Sequence, residues 1–114
     1  MNSETEKASD LFREAITNAI VPIQTAHIIK DDKLENLNQV ALKLTNLLKG
    51  HDLVSKSLLN EFYGIVQILR AEAPYFGNDK IKLQTLADKI ELYFGLILEN
   101  ESLEDRIAGV PRVI

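Results

Sequence analysis

Apolar residues recur along this chain at helical spacing, and nowhere at the two-residue period of a strand. Ala8, Leu11, Phe12, Ala15, Ile16, Ala19, Ile20 and Ile23 fall three and four apart, which places them on one face of a first helix. Ser3 and Glu6 form a Ser-x-x-Glu capping box at its start. Pro22 stands inside the pattern. It lacks an amide donor and crowds the preceding turn, so a kink or break is expected there. Residues 23–30 then either finish a bent helix or form a short one of their own.

Leu34, Leu37, Ala41, Leu44 and Leu48 make a narrow seam, widened by Val40 and Leu47, as in helices that pack into bundles. Asp31 or Asp32 is the expected cap, with Glu35 in the first turn, and Gly50 the left-handed stop. A third helix is read over about residues 52–73 from Val54, Leu58, Phe62, Ile65, Val66 and Leu69. Pro74 closes it, because a residue before proline is driven from helical dihedrals. Tyr75-Phe76-Gly77-Asn78 reads as a loop. A fourth helix from residue 78 or 79 to about 99 carries Leu83, Leu86, Ala87, Ile90, Tyr93, Phe94 and Ile97. Ser102 and Asp105 suggest a last short turn, and Val110, Val113 and Ile114 an apolar tail that docks on the bundle or meets a partner. The expected fold is all-α, an antiparallel four-helix bundle with a kinked or split first helix, a short C-terminal turn and a docked tail.

With 114 residues, 46% apolar and 26% charged, the chain has the length and composition of one globular domain. It has no cysteine, which removes disulfides, thiolate metal sites and cysteine nucleophiles together. The net charge of −4 argues against nucleic acid as partner, since phosphate recognition needs clustered Lys and Arg. No apolar run approaches the roughly 20 residues of a membrane span. The first residues lack the basic and apolar regions of a signal peptide. A cytoplasmic protein without membrane contact is the expectation.

Motifs for chemistry are absent. His27 and His51 belong to neither His-Glu-x-x-His nor Glu-x-x-His, and Asp31-Asp32-Lys33 lacks the alternating acids and glycine of a calcium loop. There is no Gly-x-Ser-x-Gly elbow and no glycine-rich phosphate loop. Ser3, Ser9, Ser55, Ser57 and Ser102 are read as helix-start residues, where capping accounts for them. No metal, no cofactor and no catalytic residue is expected.

Ala26-His27-Ile28-Ile29-Lys30 resembles the Ala-His-x-Leu-Lys core of histidine phosphotransfer domains, which are helical bundles of this size with an exposed mid-helix His. That family has a small residue after the Lys, where this chain has Asp31 and Asp32, whose charges would repel an incoming phosphoryl group. The other reading is a half-buried packing histidine near a helix end. Tyr75 and Phe76 have two readings as well, as binding anchors or as a cover over the core. The acids form two groups: Asp31, Asp32 and Glu35 between the first two helices, and Glu99, Glu101, Glu104 and Asp105 after the fourth. They make either a solvated face or a negative platform for a basic protein.

Three segments carry a further likeness: Ile68-Leu-Arg-Ala-Glu-Ala-Pro-Tyr-Phe76, Lys89-Ile-Glu-Leu-Tyr-Phe-Gly-Leu-Ile-Leu98 and Asp105-Arg-Ile-Ala-Gly-Val-Pro-Arg-Val-Ile114. They resemble small all-helical bacterial immunity proteins, in particular those of contact-dependent growth inhibition. The likeness covers roughly the second half of the chain. It implies a non-catalytic protein that binds one cognate toxin domain, with a nuclease, and among nucleases a ribonuclease, suiting the charge. Asp31, Asp32, Glu35, Tyr75, Phe76, Glu99, Glu101, Glu104 and Asp105 are then the candidate toxin-binding residues, on a monomer or weak dimer. The alternatives are a phosphotransfer module using His27 and a structural or dimerisation domain.

Overall fold

The structure, a computed structural model, describes residues 3–100. All regular structure among them is helical, in three uninterrupted runs, 3–26, 31–48 and 56–98. The first two runs are α1 (Ser3–Ala26) and α2 (Asp31–Leu48). The third folds back on itself: α3 (Lys56–Glu72) passes through a 3₁₀ turn (Ala73–Asp79) into α4 (Lys80–Leu98). The anticipated open loop at residues 75–78 is therefore a compact turn. Pro74 stands at its start, where a missing amide costs little, and Gly77 adopts φ 56°, ψ −123° inside it, a conformation open to glycine because it has no Cβ.

Helix α1 packs on α2, α3 on α4, and α2 on α4, with a sparser contact between α1 and α3. Direction follows from the side chains that meet. Lys82 reaches Asp31, and Tyr93 reaches Asn38 further along both helices, so α2 and α4 run parallel. Arg13 reaches Glu61, and His27 meets Phe76, so α1 and α3 run parallel too. Each helix thus runs opposite to the one before it in the chain, and the two antiparallel hairpins lie side by side with like directions adjacent, a spatial order that the sequence pattern leaves open. The link 49–55 is what allows it, carrying the chain from α2 to α3, a pair that hardly touches.

The seams read from the sequence form the core, including Phe12, Leu37, Leu44, Leu58, Phe62, Leu69, Leu83 and Ile90, all fully buried. At its centre Phe62 sits 4.4 Å from Phe12 and 6.5 Å from Phe94 between ring centroids, joining α1, α3 and α4. Burial of this kind is the main favourable term in folding.

Of the kink and the break open at Pro22, the break does not occur: α1 runs on to Ala26. The helix stops because His27 turns left-handed at φ 54°, and Ile28 N–H donates back to the Pro22 carbonyl at 3.0 Å. The cap of α2 is the Lys30 backbone, with no side-chain bond, so Asp31 and Asp32 occupy the first turn instead. Helix α3 starts later than expected because Ser55 caps it, its hydroxyl accepting from Leu58 N–H at 3.1 Å. Ser9 lies buried inside α1, donating to the Thr5 carbonyl at 2.9 Å, and does not mark a helix start. Leu11 faces outward although the pattern puts it on the buried face. The expected Ser102–Asp105 turn and the docked tail lie outside the described residues.

Candidate functional site

The parallel run of α2 and α4 brings two chain reversals to the same end of the molecule. One is residues 27–30 and the other is the 3₁₀ turn. His27 lies exposed at the end of α1 and stacks face to face on Phe76, 4.2 Å between centroids and 8° between planes. Phe76 also packs partly against the core, whereas Tyr75 next to it is 70% exposed. Of the two aromatics, Phe76 fits the covering reading and Tyr75 points into solvent. Ile28 is exposed at the same end.

Asp31 enters this site by a tertiary contact. Its carboxylate accepts from Lys82 Nζ at 3.1 and 3.3 Å, and Asp79 stands 3.7 Å from the same ammonium. Lys82 is held above the usual lysine range by its hydrogen bond to Asp31 first, then by the charges of Asp31 and Asp79. Asp32 is exposed, with no partner among the described residues. Glu35 faces solvent one turn on and accepts from Gln39 Nε2 at 2.8 Å.

Lysines interleave with these acids. Lys30 and Lys33 flank Asp31 and Asp32, and Lys80 and Lys82 follow Asp79. The end is therefore a mixed-charge rim around apolar tips rather than a uniformly negative platform. Beside it, an open groove of about 370 Å³ runs between α2 and α4, lined in part by Asp31, Glu35, Ile81, Lys82 and Lys89. Ile81 on its edge is 61% exposed.

The structure thus unites Asp31, Asp32, Glu35, Tyr75 and Phe76 and separates them from Glu99. That residue follows α4 at the opposite end, where Asn100 Oδ1 accepts from Gly50 N–H at 2.6 Å. Glu101, Glu104 and Asp105 lie outside the described residues. His51 lies half-buried in the link 49–55, where it lines a shallow cavity with Asp52 and Ile97. His27 is not mid-helix, and one ring face is covered, so the geometry departs from that of a phosphotransfer histidine.

Lys82, Ile81 and the His27–Phe76 stack were not among the sequence-derived candidates. All of them depend on partners about fifty residues away, which no local spacing reports. Another feature found only in three dimensions is the bridge from α3 to α4. Arg70 holds Glu91 at 2.8 and 3.0 Å and Asp88 at 3.0 Å. These bonds, to Glu91 first and Asp88 second, push the guanidinium pKa further up, and Glu91 is lowered by the Arg70 hydrogen bond first and its charge second. Among the described residues no group of three metal-ligating side chains gathers, and no helix is long and apolar enough to cross a membrane. Family models, curated proteins and solved structures were each compared with the chain, and none of the three comparisons finds a match.

Proposed function

We propose that this chain, a four-helix bundle when its folded-back third run is counted as two helices, is a non-catalytic immunity protein that binds and neutralises a cognate toxin domain. The observation that supports it is the convergence at one end of exposed Tyr75 and Ile28 with Asp31 and Asp32. An apolar tip ringed by charge is how protein interfaces divide the work. The buried aromatic sets affinity, and the surrounding charges set encounter rate and register. The His27–Phe76 stack, at the residue next to Tyr75 in the chain, holds the tip in place, which lowers the ordering cost of binding. Free Asp32 would engage a Lys, Arg or His of the toxin. A basic toxin such as a nuclease fits the chain's net charge of −4, and occlusion of its substrate path would be the inhibitory act.

The test is capture of partners on the tagged chain in its own lysate, followed by expression of the stoichiometric partner with and without the chain. The expected result is growth arrest by the partner alone and rescue by co-expression. Tyr75→Ala should weaken binding at least about 30-fold, the scale of an interface hot spot. Asp32→Lys should slow association and reduce its salt dependence. A harmless partner overturns the reading, and a receiver or kinase partner would return attention to His27.

A further inference from the structure

We propose that the α2–α4 face is a self-association surface that pairs with the same face of a second copy around a two-fold axis parallel to the helices. The argument rests on how charge is divided across the groove. Its α2 wall presents Asp31 and Glu35, and its α4 wall presents Lys82 and Lys89. Because α2 and α4 run parallel, with Asp31 beside Lys82, acids and bases stand at matching heights on opposite walls.

A face of that kind is complementary to itself. Rotation about an axis parallel to the helices places the copy's α2 over this chain's α4 with register retained. The copy's Asp31 then comes over Lys82, and its Glu35 over the level of Lys89. The two within-chain Asp31–Lys82 pairs then alternate across the axis, with Asp79 of each copy flanking its own Lys82 at 3.7 Å. An axis across the helices would instead lay α2 on α2 and set acid against acid. Charge therefore selects one of the two geometries, which is the constraint an isologous interface must meet.

The other features of the face agree. Lys89 makes no ion pair among the described residues, so a partner carboxylate would be its first. Ile81, exposed on the groove edge, and Leu92 farther along α4 supply apolar area. The face spans about three helical turns of two helices, so the pair would bury roughly 800 Å² in total. That is small, and the dimer is accordingly weak and concentration-dependent. This surface lies beside Tyr75 and Asp32 and does not depend on toxin binding.

Sedimentation equilibrium of the full chain tests it. The weight-average mass should rise from 12.8 kDa toward twice that value, with a dissociation constant on the order of 0.1 mM at low salt, and should fall back in 1 M salt, a molarity at which screening is nearly complete. Glu35→Lys and Lys89→Glu should each weaken the dimer about tenfold or more, with circular dichroism confirming that both exposed variants fold. The double exchange should restore association to within about threefold of the wild-type chain. A mass that stays monomeric at all concentrations overturns the proposal. So does a dimer indifferent to both single reversals, or one that the double exchange leaves broken.

Discussion

His27 lies flat on Phe76, and that one contact ties the end of α1 to the turn between α3 and α4. Forty-nine residues separate the two rings along the chain, so the stack fixes the relative position of the two reversals that make the candidate binding end. His27 does this from a left-handed backbone, φ 54°, which non-glycine residues adopt at a cost of about 1 kcal/mol.

Those two effects oppose each other and can be separated. His27→Gly loses the stack, worth about 0.5–1.5 kcal/mol, but relieves the backbone, so its stability should stay within about 0.5 kcal/mol of the parent. His27→Ala loses the stack without the relief and should be destabilised by about 1 kcal/mol relative to His27→Gly. Urea denaturation of the two variants measures the difference. An alanine variant as stable as the glycine one would show that the left-handed turn carries no strain.

Phe62 is fully buried between Phe12 and Phe94. Phe62→Ala should cost about 3–5 kcal/mol, from lost transfer energy and the cavity left among three helices. Leu53 is also a large apolar residue but is 90% exposed in the link 49–55, and Leu53→Ser should fall within about 0.5 kcal/mol of zero. Chemical denaturation with unchanged slope is the check, and comparable losses at both sites would contradict this placement of the core.

Pro22 lies inside α1, so the Asn18 carbonyl lacks the amide that a helix would normally aim at it. Pro22→Ala provides that donor and leaves the carbonyl of residue 22 free to keep its bond from Ile28. The variant should be more stable by about 1–3 kcal/mol. A loss of stability in thermal or urea unfolding would mean that the proline ring itself is needed at the α1 terminus.

The buried faces were legible because each helix buries residues three and four apart, as Leu34, Leu37, Ala41, Leu44 and Leu48 do. What escaped the pattern was polar burial and tertiary pairing. Thr5 is buried in α1, and so is Thr45 in α2, where its hydroxyl bonds back to Ala41. Hydrophobic periodicity assigns no polar residue to a core. Local sequence offers Asp31 or Asp32 as a cap because acids suit helix starts, but Lys82 on α4 claims the Asp31 carboxylate. The placement of Asp31, Asp32 and Glu35 near Tyr75 and Phe76 likewise depends on α2 and α4 running parallel, a choice the local sequence does not encode. Helix α3 shows the limit from the other side: apolar spacing extends it back to about residue 52, whereas the Ser55 cap sets its start at Lys56.

Tyr93 donates its hydroxyl to Asn38 Oδ1 at 2.7 Å, linking α4 to α2 below the groove. Burial raises its pKa above the ordinary phenol value of 10.0, and the negative charge of Glu35 adds to the rise. The unfolded chain releases this proton at the ordinary value, whereas the folded chain holds it longer. Between those two values the native state binds more protons than the unfolded one, so stability falls as pH rises through that window and is constant below it. Tyr93→Phe removes the titration and should flatten this part of the pH dependence. At neutral pH it should cost about 1 kcal/mol, because the Asn38 oxygen loses its donor. Phenolate absorbance during alkaline titration supplies the independent check. One of the chain's three tyrosines should ionise above the normal range in the parent, and that component should vanish in Tyr93→Phe.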